Sequence, residues 1–178
     1  MTFLLSILLG TVVGLIVYLP YVLSLLTLLA IIGVGILFDM IGVAVAATEE
    51  RPLHAMAADR VAGSRQAIWL VRRAGRVANI CNDVIGDVSG TISGAITVTL
   101  AAALAFRYRL DGSVLSMLAL AMTAALTVGG KAFGKVYALR RPHAVIIAVG
   151  RCLAWIGWSG RGHKRSRRSK QQSGQGRR

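Results

Sequence analysis

The sequence has few of the residues from which catalytic and metal sites are usually built. Its three histidines are scattered, and its two cysteines, Cys81 and Cys152, have neither the spacing of metal ligands nor that of a disulfide framework. The 178 residues contain no P-loop and no G-x-G-x-x-G motif. Because no catalytic constellation is present, we expect a protein that is not an enzyme.

Acidic residues are also scarce. Seven Asp and Glu stand against 21 Lys and Arg, which gives a formal net charge of +14 at pH 7. Such a balance can indicate nucleic-acid binding, but basic residues here follow hydrophobic segments directly or fill the tail from Ser159. The cytoplasmic flanks of membrane proteins are basic in this way. We therefore expect no nucleic-acid partner, and anionic lipid headgroups as the partner of the tail.

Hydrophobic residues, in contrast, are abundant. They make up 55% of the chain, whose mean hydropathy is +0.64, and they are concentrated in long runs. A helix needs about 20 mostly apolar residues to cross a bilayer. Four runs come close to or exceed that length: residues 2–19, 22–47, 79–106 and 113–130. The chain is predicted to be an all-α integral membrane protein with about four transmembrane helices in the lipid bilayer.

The composition divides the chain into three parts. Residues 1–20 are predicted to form the first transmembrane helix. They lack a basic n-region and an obvious cleavage site, so we expect this run to be retained, with a cleaved signal peptide as the alternative. Residues 21–158 are predicted to be a transmembrane domain with juxtamembrane helices, and residues 159–178 a basic disordered tail.

Residues 48–77 form a soluble connector between the second and third runs. Gly63 and Gly75 are the expected stops of two short helices, and Ser64 is the expected N-cap of the second. The Trp and Arg residues of these helices predict a cytoplasmic helical belt along the membrane surface. Because connector and tail are both basic, both termini are predicted to be cytoplasmic in a multi-pass protein of the cell membrane.

The third run begins with an unusually polar stretch, N-I-C-N-D-V-I-G-D-V-S-G-T-I-S-G. Glycines recur every four residues from Gly86 to Gly94, and on a helix they form a bare ridge that another helix can approach closely. Asp83 and Asp87 lie beside this ridge. An acidic group in a membrane segment costs roughly 3 kcal/mol and needs a partner, a proton or a cation.

The second run carries one charge, Asp39, on a small-residue face with Gly35 and Gly42. Two interpretations stay open: a protonated carboxyl bonded to a neighbouring helix, or part of a cation or proton site. Asp39 lies ~12 Å before the end of its run by the helical rise. The polar start of the third run and Lys131 at the end of the fourth lie on the same side. The residues expected to converge there, beside Lys131, are Asp39, Asn82, Asp83 and Asp87.

Several segments occur in the order typical of one transporter family. They are F-D-M-I-G-V-A-V-A-A-T at 38–48, C-N-D-V-I-G-D at 81–87, and G-K-A-F-G-K at 130–135 followed by A-L-R-R-P. Together with the basic connector they resemble the CNNM transmembrane domain of the cyclin M and CorB–CorC magnesium transporters. The resemblance covers about residues 35–158. It implies a homodimer in which three transmembrane helices and a juxtamembrane belt surround an inward-facing cation site.

The family pattern carries over in part. Asn82 matches an ion-facing Asn of the family, and Lys135 matches its final Lys, but Lys131 replaces an acid of the last helix. Asp39, Asp83 and Asp87 are expected to compensate, as ligands or as counter-ions for Lys131. The family usually adds nucleotide-binding CBS domains, whereas here a basic tail follows, so we expect no nucleotide regulation within this chain.

Two functions are therefore compatible with the sequence. The first is a transporter-like protein for a divalent cation, magnesium or else cobalt, with a divergent site in the transmembrane helices. Oxygen ligands without a His or Cys cluster suit a hard cation such as Mg2+. The second is a non-transporting membrane scaffold or accessory subunit, held together by intramembrane Asp–Lys pairs.

Overall fold

The computed structural model describes Thr11 and residues 20–156, and the described chain is helical throughout, without a strand. The predicted all-α class is confirmed. Apart from Thr11 and Pro20, the expected first transmembrane helix lies outside the described residues, and so does the predicted tail at 159–178.

Three helices are long and apolar enough to cross a membrane. Helix α1, Tyr21–Ala47, begins after Pro20, and its run has no charge besides Asp39. The second span, Ala74–Tyr108, is one continuous helix of 35 residues. The third is Gly112–Arg140, whose first turn is capped by the Asp111 carboxylate, which accepts bonds from two backbone N–H groups. The fourth predicted span, nearest the N-terminus, falls in the part not described.

The second span is built from three consecutive pieces. Helix α4, Ala74–Asn79, passes into a π-helical turn, Ile80–Ile85, and then into α5, Gly86–Tyr108. The third span is α6, Gly112–Arg140. In a π turn the hydrogen bonds run from i to i+5, so each turn holds more residues than an α turn does. The π turn coincides with the polar stretch that the sequence marks.

Short helices α2, Glu50–Ala58, α3, Ser64–Val71, and α7, Pro142–Trp155, pack together at one end of the long helices. Pro142 is at the start of α7, where its missing N–H costs nothing. Leu53, Leu70 and Ile146 belong to their shared buried core, together with Ala44 and Val45 of α1 and Ala138 of α6. We call these three helices and their core the helix cluster.

An exposed ionic contact also joins α2 to α3. The Glu50 carboxylate accepts a 2.6 Å bond from the Arg72 guanidinium and lies 2.8 Å from the His54 ring nitrogen. The hydrogen bonds from His54 and from Arg72 hold the pKa of Glu50 below its usual value. Because exposed ion pairs contribute little to stability, the buried apolar core must supply most of the stability of the helix cluster.

The connector differs from its prediction at two of the three expected residues, Gly75 and Ser64. Gly75 does not stop a helix, because it lies inside α4, which leads directly into the second span. A glycine inside a helix costs about 1 kcal/mol relative to alanine, and a long apolar helix readily outweighs that cost. Ser64 does not cap α3. Gly63, with φ at 88°, precedes the helix, and Ser64 donates its hydroxyl to the Val61 carbonyl at 2.7 Å.

Candidate functional site

Glycines of α6 bring it close to α1. A Cβ added to Gly134 would lie 3.5 Å from Ile36 Cγ2 and 3.6 Å from Met40 Cβ, and one added to Gly130 would collide with the Ile36 side chain. Without Cβ atoms at these two positions, the α6 backbone can lie against α1. Lys131 and Lys135, which follow these glycines in the sequence, therefore lie at the edge of the contact between α6 and α1.

Asp39 of α1 is buried in this region, with 5% of its surface exposed. The ammonium of Lys135 lies 3.5 Å from Asp39 Oδ2, while the Lys135 side chain is 49% exposed. That distance exceeds the 2.7–3.2 Å of ordinary N–H···O bonds, so the pair is a loose one. Among the described residues, Asp39 Oδ2 accepts no hydrogen bond.

Asn82 of the π turn faces α1 near Asp39. Its side-chain oxygen occupies the space that a Cβ on Gly42 would need, and Gly42 lies three residues after Asp39, one helical turn away. Asn82 Oδ1 is buried, and no described residue donates a hydrogen bond to it. We call the region formed by Asp39, Gly42, Asn82 and Lys135 the polar interface. It contains two buried oxygens that lack donors.

The other two predicted ligands lie elsewhere. Asp83 and Asp87 are exposed, one on the π turn and one in the first turn of α5. No group of three or more His, Cys, Asp or Glu side chains in the described part could hold a metal ion. The structure therefore brings Asp39 and Asn82 to one interface and leaves Asp83 and Asp87 outside it.

The lysines also differ in role from the sequence expectation. Lys131 lies beside Gly86, where an added Cβ would be 3.6 Å from its Nζ, and it forms no ion pair among the described residues. The partner of Asp39 is Lys135, one turn further along α6. The sequence carried no signal for this choice, because position along the helix does not favour Lys135 over Lys131 as the partner of Asp39.

The polar interface does not carry the net negative charge that Asp39, Asp83 and Asp87 together would have given it. One buried carboxylate, Asp39, lies near one lysine, Lys135, so the two charges balance. Asp39 Oδ2 and Asn82 Oδ1, which accept no hydrogen bond from a described residue, suit a hard cation that keeps much of its own water, as Mg2+ does in proteins. They do not form a complete cage.

Hydroxyl groups lie on the packed face of α5, together with Gly86 and apolar side chains. Ser89, Ser93 and Thr97 are buried, and Ser89 contacts α1 at Gly35. A Cβ added to Gly90 or Gly94 would meet nothing within 4 Å. Within the described chain no helix packs closely on the ridge at those two positions, and its contact with a second copy of the chain stays a prediction.

A separate cavity of about 680 Å³ lies between α1, α5 and α6 toward the Tyr21 end. Its lining is almost wholly aliphatic, and the hydroxyls of Thr97 and Thr123 are bonded to each other at 3.0 Å. Aliphatic walls offer no ligands to a metal ion. The candidate site is therefore the polar interface, near the helix cluster.

Comparison of the chain with protein-family models, with curated proteins and with solved structures finds no match. The resemblance to the cyclin M and CorB–CorC family stays a prediction from the sequence.

Proposed function

We propose that this chain is a transporter-like membrane protein for a divalent cation, with magnesium as the expected substrate and the polar interface as its divergent site. In this proposal Asp39 supplies the charged ligand and Asn82 a neutral one. The remaining positions around the ion are filled by water, which Mg2+ gives up reluctantly.

One observation supports the proposal most strongly. Asp39 Oδ2 and Asn82 Oδ1 are buried acceptors without hydrogen-bond donors in the described chain. Leaving a buried acceptor unsatisfied costs about 1–3 kcal/mol, and more when the group is charged. A cation with its bound water could satisfy such acceptors. The π turn that carries Asn82 agrees with this, because such turns are frequent at functional sites.

The scaffold alternative has its own supporting observation. Lys135 and Asp39 link α6 to α1, and the interface has one lysine for its one buried acid. In a scaffold this pair would only hold the two helices together, and neither Asp39 nor Asn82 would bind an ion.

Magnesium should distinguish the two functions. A ligand that binds only the folded state stabilises it, so magnesium at ten times its Kd should raise the Tm of the purified protein by roughly 3–6 °C. Asp39→Asn should abolish this rise and reduce magnesium flux in proteoliposomes to background. Asp87→Asn is the matched control, because Asp87 is an exposed carboxylate on the same span as Asn82. This variant should retain both the rise in Tm and the magnesium flux.

If magnesium, manganese and cobalt at millimolar concentrations all leave the wild-type Tm unchanged, the scaffold function replaces the transporter. If Asp87→Asn removes the response and Asp39→Asn does not, the site lies on the exposed face of α5 instead.

The proposal includes an orientation in which the helix cluster is cytoplasmic. The cluster carries exposed arginines, whereas the short turn between α5 and α6 is the opposite end of the bundle. A cysteine at Gly112 should therefore react from outside intact cells with an impermeant thiol reagent, and a cysteine at Arg60 should not. Labelling at Arg60 alone would invert the orientation. The expected homodimer and the contact of the tail with anionic lipid stay predictions.

A further inference from the structure

We propose that Lys135 is a tethered competitor of the transported cation, which occupies Asp39 when no ion is bound and must leave it when one binds. This inference rests on the proposed function, because it assigns to a residue of that site the control of its affinity. Lys135 is not proposed as a ligand, because its ammonium has no lone pair to offer a metal. Its proposed role is to set the affinity of the site and its preference among ions.

The geometry of the pair supports exchange rather than a fixed link. Asp39 is almost fully buried, so its carboxylate needs a positive charge or a proton. Lys135 supplies that charge at 3.5 Å, beyond the range of a good hydrogen bond. Half of the Lys135 side chain is exposed, so no group of the described chain encloses the ammonium against Asp39. A permanent structural pair would be expected to be shorter and more enclosed.

The α6 backbone next to Lys135 is held in place by close packing against α1. Gly134 lies directly against Ile36 and Met40 of α1, so the α6 backbone at this level is fixed by close packing. Movement of the ammonium therefore needs only rotation of its flexible four-carbon side chain, without a shift of the helix. Lys131, one turn earlier, points to Gly86 and not to Asp39.

Competition follows from charge. An ammonium and a divalent cation cannot both lie against one buried carboxylate, because like charges repel strongly where the dielectric constant is low. The ion must therefore displace Lys135, and its apparent affinity is reduced by the fraction of protein in which Lys135 occupies Asp39. A monovalent ion, with half the charge, displaces the ammonium less effectively.

Substitution at Lys135 tests the inference. Lys135→Gln removes the charge and keeps a polar, though shorter, side chain. The Kd for Mg2+, from magnesium titrations of Tm, should therefore fall about tenfold or more. Lys135→Arg keeps the charge and should stay near the wild-type Kd. Lys131→Gln is the matched control, because it removes a lysine from the same helix. Its Kd for Mg2+ should change much less than the Kd of Lys135→Gln does.

A second measurement needs no variant. In the full-length wild-type protein, an amine-reactive ester should modify Lys135 faster as magnesium is added, over the concentration range that raises the Tm. Lys131 is the internal reference, and its modification rate, read by mass spectrometry of the same peptides, should stay nearly constant.

The outcomes separate the two proposals. If the wild type responds to magnesium while Lys135→Gln binds no more tightly and Lys135 reactivity is unchanged, the competitor role is wrong and the cation site stands. If neither the wild type nor any of the three lysine variants responds to Mg2+, the cation site itself is wrong, and the competitor role is lost with it.

Discussion

Replacement of Gly150 by alanine should destabilise the protein by about 1–3 kcal/mol, the usual cost of forcing an extra group into a packed interior. A Cβ at this position of α7 would collide with the Gly63 carbonyl oxygen and would lie 3.1 Å from Gly63 C and 3.3 Å from Ala67 N. All three are backbone atoms, so no side-chain rotation can relieve the contact. The start of α3 and α7 would have to separate.

Gly75→Ala is the control for this substitution. Gly75 is helical, and an added Cβ there meets nothing within 4 Å. Alanine should therefore leave the Tm unchanged or raise it slightly, since it is favoured over glycine in a helix by up to about 1 kcal/mol. Thermal unfolding of the purified protein in detergent gives both values. Equal Tm values for the two variants would contradict the close contact between α3 and α7.

Leu53→Ala should have the larger effect, a loss of about 2–5 kcal/mol. Leu53 has no exposed surface and is among the largest fully buried side chains of the described chain. It lies in the core of the helix cluster, which also includes Leu70 and Ile146. Truncation removes apolar contacts and leaves a cavity that helices fixed to α1 and α6 can fill only in part.

Leu139→Ala is the matched substitution, because Leu139 is 59% exposed on α6 near the same end of the protein. It should change the Tm by far less than Leu53→Ala does. If the two variants have the same Tm, the short helices do not form a packed core, and the helix cluster would instead be held by its contacts with lipid.

The sequence by itself determined the helical class and the approximate positions of the described spans, although the second span begins at Ala74 instead of residue 79 and the third continues beyond residue 130 to Arg140. Long uncharged runs can satisfy their backbone groups in a membrane only as helices, and the limits of such runs are visible as Pro20, Asp111 and Pro142. It also identified Asp39 and Asn82 as unusual, because polar groups within an apolar run are costly wherever the helix faces. These are local properties of composition, and the structure agrees with them.

Only the tertiary structure decided which of the polar residues meet. The sequence placed Asn82, Asp83, Gly86 and Asp87 on neighbouring stripes by assuming 3.6 residues per turn. In the structure Asn82 is turned toward α1, while Asp83 and Asp87 on the neighbouring stripe are both exposed. Helical spacing could separate these two stripes, but it could not specify which of them faces α1. The choice of Lys135 over Lys131 as the partner of Asp39 likewise depends on how α6 lies against Ile36 and Met40, a packing arrangement that no periodicity within one helix specifies.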